Sequence, residues 1–144
     1  MRGQLSLDFL LAFLLISITA LNLTYLAVGE KVKAEEFDTV AKLKVFAIDV
    51  RDTVAKVHSM GGGFSIRKEY PFELKPGDRI IVILDNTTNV IKIEATINGR
   101  VYSVIQRSQV PIYEQTLVIL DASHSSFWIT ASDEGGFTHV RVSQ

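Results

Sequence analysis

The chain of 144 residues contains no cysteine, and its charges nearly cancel, with 15 lysines and arginines against 16 acidic residues. The absence of cysteine excludes disulfides, zinc–thiolate sites and a thiol nucleophile. The balanced charge gives no indication of a surface that binds nucleic acid, so we predict no nucleic-acid partner. The only histidines, His58, His124 and His139, are too scattered to indicate a metal site, and we expect neither a metal nor a cofactor.

Charge is also scarce in the first 29 residues, in which only Arg2 and Asp8 have charged side chains. After them, residues 9–29 form 21 consecutive uncharged positions, of which 16 are apolar. As an α-helix this run is about 31 Å long, which matches the roughly 30 Å hydrocarbon core of a bilayer. The run therefore predicts a membrane-spanning helix.

The residues that precede this run form a pattern of their own, with Arg2 and Gly3 followed by Gln4, Ser6 and Asp8 at alternate positions. The pattern resembles the class III signal peptide of archaeal type IV pilin-like proteins, in which a basic residue and glycine precede Gln-x-Ser-x-Glu and a long apolar helix. The resemblance implies that a membrane prepilin peptidase cleaves between Gly3 and Gln4. Residues 1–3 would then be a leader, and the apolar helix would stay in the product.

The same resemblance implies the partners and the location of the product. The helix would rest in the cell membrane until the pilus assembly machinery extracts it. It would then pack against identical or related pilin subunits in an extracellular filament on the cell surface, with adhesion as one use. We expect Asp8 to pair with the new amino group of Gln4 on an adjacent subunit. Apolar assembly contacts are expected from Phe9, Leu10, Phe13 and Leu14. The orientation rests on the resemblance alone, because the lysines after the run would by the positive-inside rule favour the opposite one.

Residues 30–60 differ from the first block in carrying six basic and six acidic side chains, and no proline occurs before Pro71. Apolar residues recur there every three or four positions, which predicts an amphipathic helix over residues 30–60. This helix would continue the apolar one, so that a single long helix spans residues 4–60. The glycines at 61–63 are expected to end it. The predicted stripe contains Phe37, Val40, Leu43, Ala47, Val50, Val54 and Val57, widened by Val45, Ile48 and Ala55.

Residues 61–144 predict a small antiparallel β-sandwich, because short segments rich in Val, Ile, Phe, Tyr and Thr alternate with turn signals. Asn98-Gly99 is the strongest hairpin signal and predicts a type I′ turn. Alternation places Ile91, Ile93, Ala95 and Ile97 on the buried face. The aromatic residues Phe127, Trp128 and Phe137 are expected in the core. The fold class is thus α+β, a long N-terminal helix followed by the β domain. The predicted strands are 64–70, 79–84, 90–97, 100–106, 112–120, 127–131 and 137–142.

Two polar motifs in the β domain have a chemical interpretation. Residues 121–126 cluster an aspartate, a histidine and serines, but neighbours in one loop seldom reach the geometry of a catalytic triad. We therefore predict no catalytic site and no enzyme. Asn86-Thr87-Thr88 is an N-x-Thr acceptor in a predicted exposed turn, which makes Asn86 a candidate N-glycosylation site in an extracellular protein.

The interpretation that these residues favour is a structural subunit, a major or minor pilin. One alternative is a monomeric β-sandwich anchored in the membrane, which binds a ligand at the cell surface and keeps Met1. The other is a secreted β-sandwich, because Ala27-Val28-Gly29 is a small-x-small sequence that a signal peptidase accepts. Its product would begin at Glu30.

Overall fold

A computed structural model describes the backbone of residues 2–71 and 73–144 and the side chains of residues 6–71 and 73–144. In these residues a single helix is followed by strands that form two antiparallel sheets, so the predicted α+β class is confirmed. One sheet has the order β1-β6-β7 and the other the order β4-β3-β2-β5. The elements are α1 (Arg2–Met60), β1 (Ser65–Glu69), β2 (Arg79–Asp85), β3 (Val90–Ile97), β4 (Arg100–Arg107), β5 (Thr116–Leu120), β6 (Ser126–Glu134) and β7 (Phe137–Ser143).

The chain divides into two compact units, residues 1–39 and residues 40–144. The described residues of the first unit all belong to the first part of α1. The second unit contains the last part of α1 together with both sheets, and it has one hydrophobic core to which the helix and the sheets contribute. A long apolar helix followed by small antiparallel sheets is a pilin-like architecture.

In the second unit, α1 buries one face against the sheets. Leu43, Ala47, Val50, Val54 and Val57 are completely buried, as the stripe predicts. The core also contains Phe46, which the stripe did not include and which is only 3% exposed. At about 100° per residue, this position lies on the same arc of the helix as the other five.

The stripe prediction was wrong for Phe37, Val45 and Ile48, whose side chains are exposed. At about 100° per residue Val45 and Ile48 lie roughly 140–200° around the helix from Leu43, on the side away from the buried arc, and Phe37 belongs to the first unit. Spacings of three and four therefore located the amphipathic helix correctly but drew its apolar face too wide. The helix ends as expected, since Gly61 has a φ of 84° and its N–H donates to the carbonyl of His58 at 3.2 Å.

Most strands begin and end within a residue or two of their predicted bounds, with two larger differences. β5 starts at Thr116 and not at 112, because Ile112 instead donates its N–H to the Asn89 side chain at 2.8 Å in a loop. β6 continues to Glu134 and turns at two glycines with positive φ. Of the three aromatic residues expected in the core, Phe127 is buried but Trp128 and Phe137 are exposed. Alternation explains Trp128, because its neighbours in β6 face the core.

β3 and β4 of the larger sheet form a hairpin. Asn98 and Gly99 both have positive φ, 51° and 75°, as the predicted type I′ turn requires. The buried carboxylate of Asp78 accepts the N–H of Asn98 at 2.8 Å and so fixes the tip of the hairpin. The predicted inward alternation of β3 is confirmed, with Ile91, Ile93, Ala95 and Ile97 buried.

Candidate functional site

The candidate functional site is the apolar surface of the first unit. Among residues 6–29 every side chain is exposed except that of Ser17, which is half-buried. Phe9, Leu10, Phe13 and Leu14, the expected assembly residues, are between 52% and 74% exposed. They lie side by side because residues four apart stack on one face of a helix. By length and composition the helix is able to cross a membrane, and it is thus compatible with membrane anchoring.

The polar side chains inside the apolar run are bonded to the helix itself, which the sequence analysis did not anticipate. A buried donor without a hydrogen bond costs several kcal/mol in hydrocarbon, whereas a hydroxyl or an amide N–H that donates to the preceding turn avoids this cost. The helix therefore presents an apolar surface although its sequence contains hydrogen-bonding groups. The bonds are Ser17 to Phe13 O at 2.8 Å, Thr19 to Leu15 O at 2.8 Å, Asn22 to Ile18 O at 3.0 Å and Thr24 to Ala20 O at 2.9 Å.

Asp8 lies at the start of this surface with an exposed side chain. No described residue forms a hydrogen bond or ion pair with its carboxylate. Arg2 and the expected cleavage site, Gly3 and Gln4, lie outside the residues whose side chains are described. Their roles, and the pairing of Asp8 with a neighbouring subunit, stay predictions.

Charged residues begin directly after the apolar run. Glu30 pairs with Lys33 at 3.5 Å, and Lys31 pairs with Glu35 at 3.9 Å, both between neighbouring turns of α1. These pairs are exposed, so each contributes at most about 1 kcal/mol to stability. Their consequence is a sharp boundary between an uncharged and a charged stretch of helix surface at residue 30.

Asn86, the candidate glycosylation site, is exposed in the turn between β2 and β3. Asp85 organises this turn, because its carboxylate accepts the N–H of Thr87 at 2.8 Å and the hydroxyl of Thr88 at 2.6 Å. The hydrogen bonds from Thr88 and Thr87 hold the pKa of the Asp85 carboxyl below its ordinary value. The acceptor asparagine thus lies in an ordered, accessible turn, and its glycosylation stays a prediction.

The Asp121 loop brings an acid, a serine and a histidine together without the geometry of a triad. A triad directs one imidazole nitrogen to the serine and the other to the acid. Here the same atom, His124 Nδ1, faces both, at 2.9 Å from Ser123 Oγ and 3.3 Å from Asp121 Oδ1. Ser123 donates its hydroxyl to Asp121 at 2.6 Å. These bonds, together with backbone N–H donors, lower the pKa of Asp121 to about 2 and form a capped turn.

A second polar cluster, which the sequence analysis missed, lies on the exposed face of β7. Tyr113 packs its ring against Phe137 and His139, with centroids 5.4 and 5.0 Å apart. Arg141 pairs with Glu114 at 2.6 Å and with Glu134 at 3.0 Å. The guanidinium lowers the pKa of Glu134, and both carboxylates raise that of Arg141. The contacts fasten the loop before β5 to β7. Alternation identifies the outward residues of β7, but nothing in the sequence indicates that the loop crosses them.

Comparisons of the chain with models of protein families, with curated proteins and with solved structures found no match.

Proposed function

We propose that this chain is a structural subunit, a major or minor pilin, of an extracellular type IV pilus-like filament. The apolar helix anchors the subunit in the membrane first. After cleavage between Gly3 and Gln4 it becomes the part through which subunits assemble. The second unit, residues 40–144, which contains both sheets and is called the β unit, remains outside the filament core, where it is available for adhesion.

One observation carries this proposal, namely the combination of an exposed apolar helix surface with polar side chains bonded to that helix. Fully burying a large apolar side chain contributes about 1.5–3 kcal/mol. Four such side chains, Phe9, Leu10, Phe13 and Leu14, lie exposed at its start. A lipid bilayer and a bundle of identical helices would each remove this apolar surface from water. In both environments the hydroxyls of Ser17, Thr19 and Thr24 and one amide N–H of Asn22 keep their hydrogen bonds to the preceding turn of the helix.

Asp8 supplies the specific step of the proposed assembly. An ionised carboxylate is costly in an apolar environment, and it becomes acceptable when it is paired with a positive group. Cleavage before Gln4 creates a new α-amino group four residues before Asp8 in the sequence. Pairing of that amino group with Asp8 of a neighbouring subunit would neutralise both charges and set the stagger between the two helices.

The second candidate function is a monomeric β domain anchored in the membrane, and the same exposed helix supports it. It differs in having no leader cleavage and no filament. The secreted form of this alternative would lose the helix altogether. The three functions therefore differ in the first residue of the mature protein.

The test is the N-terminal residue of the protein isolated from its native cells, determined by mass spectrometry of the terminal peptide. We expect a start at Gln4. A start at Met1 would favour the anchored monomer, and a start at Glu30 would exclude both uses of the helix. Electron microscopy of a fraction sheared from the cell surface, probed with antibody against the β unit, then checks for filaments.

A further inference from the structure

Strand β4 forms one edge of the larger sheet. In the order β4-β3-β2-β5 the outer strands are β4 and β5. The edge of β5 is partly covered, because Ile119 O accepts the side-chain amide of Gln144 and Thr116 Oγ1 accepts the N–H of Val142 at 3.2 Å. Arg100, the first residue of β4, has a contact of its own, but no comparable contact covers the other described residues of this strand. An uncovered edge is a template for pairing with another strand.

The hairpin geometry determines which backbone groups of β4 face this edge. In a hairpin with a two-residue turn, the pair that closes the turn exchanges both of its hydrogen bonds, and the pairs then alternate. The closing pair is Ile97 and Arg100, so the even-numbered residues of β4 bond to β3. Val101, Ser103 and Ile105 therefore direct their N–H and C=O groups outward. No hydrogen bond joins these groups to any described residue.

The middle of this edge lacks the features by which natural proteins prevent pairing. Such features are proline, a β-bulge or a charged side chain. The β3–β4 register runs without interruption from Ile97–Arg100 to Val90–Arg107, so β4 has no bulge. Residues 101–105 contain no proline and no charge, and Val101 and Ile105 are 77% and 58% exposed.

The strand is also anchored by hydrogen bonds just beyond both of its ends, which reduces the entropy lost on pairing. At the turn, Asp78 accepts the N–H of Asn98 at 2.8 Å. At the other end, the N–H of Ser108 donates to Asn89 O at 3.0 Å. β4 is thus a fixed eight-residue edge strand.

From these observations we infer that β4 pairs antiparallel with β4 of a second copy of this chain, about a two-fold axis at Ser103. In this register Ser103 lies opposite Ser103 of the second copy. Val101 lies opposite Ile105 of the second copy, and the two-fold axis generates the equivalent pair of Ile105 with Val101. On the other face Tyr102 lies opposite Val104. Over residues 101–105 every opposing pair is then apolar with apolar or polar with polar, which favours pairing across a sheet.

Neighbouring registers are less favourable. Outward-facing groups must oppose one another, so the register changes only in steps of two residues. One step places Arg107 opposite Val101, and the other places Val101 opposite Ser103, so both lose the two pairs of Val101 with Ile105. In the Ser103 register Arg107 lies opposite Gly99, and no two arginines face each other. The occupant that fits this edge best is therefore a second β4.

The inference does not depend on the filament proposal, and the chain offers a direct test because it has no cysteine. A hydrogen-bonded antiparallel pair has its Cα atoms about 5.5 Å apart, which lies within the range of disulfides. In full-length protein in detergent micelles, we expect Ser103→Cys to form a disulfide-linked dimer on mild oxidation. Leu117→Cys, an exposed control on β5, should form several-fold less.

The register has its own test. Val101→Cys mixed with Ile105→Cys should cross-link efficiently, whereas each variant alone should not. A Ser103→Cys yield no higher than that of the Leu117→Cys control would overturn the inference. Efficient cross-linking of Val101→Cys with itself would overturn this register.

A variant without cysteine separates this contact from association through the helix. Ile105→Lys replaces an exposed side chain that occurs in both apolar pairs of the two-fold contact. We expect self-association measured by sedimentation to weaken about tenfold, with Leu117→Lys as the matched control that leaves it unchanged. Self-association that is equal in all three proteins would come from another surface and would count against pairing of β4.

Discussion

The ring of Phe46 on α1 meets the ring of Phe127 on β6 edge to face, with centroids 6.2 Å apart and planes at 86°. Phe127 is completely buried, so this contact lies inside the core of the second unit. Edge-to-face aromatic pairs add about 0.5–1.5 kcal/mol to the free energy gained from burial. This aromatic contact joins the last part of α1 to the core of the second unit.

Phe46→Ala should therefore lower the free energy of unfolding of the second unit by about 3–5 kcal/mol, because it leaves a cavity and removes the aromatic contact. Val45→Ala, one residue earlier and 67% exposed, should change it by less than about 0.5 kcal/mol. Urea unfolding of the full chain in micelles, followed by the fluorescence of the only tryptophan, measures both. Equal midpoints for the two variants would contradict the packing of this helix face.

Gly62→Ala should destabilise the same unit for a different reason. A Cβ at Gly62 would lie 2.5 Å from Asp133 Oδ2 and 2.8 Å from the Asp133 backbone nitrogen, so the backbone must shift. We expect the free energy of unfolding of the second unit to fall by about 1–3 kcal/mol, as at other overpacked sites. The control is Gly29→Ala, which meets nothing within 4 Å and should favour its helix slightly. A Gly62→Ala midpoint equal to that of the wild type would show that Asp133 moves aside at no cost.

Local rules were sufficient for much of the fold. The alternation of Ile91, Ile93 and Ala95 and the Asn98-Gly99 turn act within a few residues, and the structure confirms both. The helix face was harder, because spacing identifies an apolar arc but not which part of it a sheet covers. For that reason Phe46 was missed and Phe37, Val45 and Ile48 were misplaced.

The same distinction applies to the candidate site. The exposed apolar surface follows from composition alone. The bonds of Ser17, Thr19, Asn22 and Thr24 to the preceding turn depend on side-chain rotamers, which the sequence does not specify. The contact of Gly62 with Asp133 joins residues 71 positions apart, and no local pattern indicates it.

Acid should destabilise the β unit partly through Asp121. Its pKa is lowered from 3.8 to about 2, first by the Ser123 hydroxyl and backbone N–H and then by His124. A carboxylate with a lowered pKa in the folded state stabilises the protein above its unfolded pKa, and this stability is lost as the pH falls through the folded value. Between pH 4 and pH 2, Asp121→Asn should therefore reduce the dependence of stability on pH. Urea midpoints at several pH values measure this, and Ser123→Ala should give an intermediate slope. Identical slopes for Asp121→Asn and wild type would rule out this contribution.

Asp8→Asn tests the proposed assembly directly. The substitution keeps the size of the side chain but removes the charge that is proposed to pair with the amino group of Gln4, so we expect filaments to be lost while the β unit stays folded. Asp8→Glu is the matched control, because it keeps the charge and introduces the residue usual in the family that the leader resembles. Electron microscopy of sheared filaments measures assembly, and circular dichroism of the purified protein measures folding.

Asp8 also belongs to the expected processing motif, so the N-terminal residue of each variant must be determined in the same cells. If Asp8→Asn protein begins at Gln4 but forms no filaments, the carboxylate acts in assembly. If it begins at Met1, the carboxylate acts at cleavage, and its pairing is then tested on a chain that starts at Gln4. Abundant normal filaments from correctly processed Asp8→Asn protein would refute the pairing, because nothing would then neutralise the amino group inside an apolar filament core.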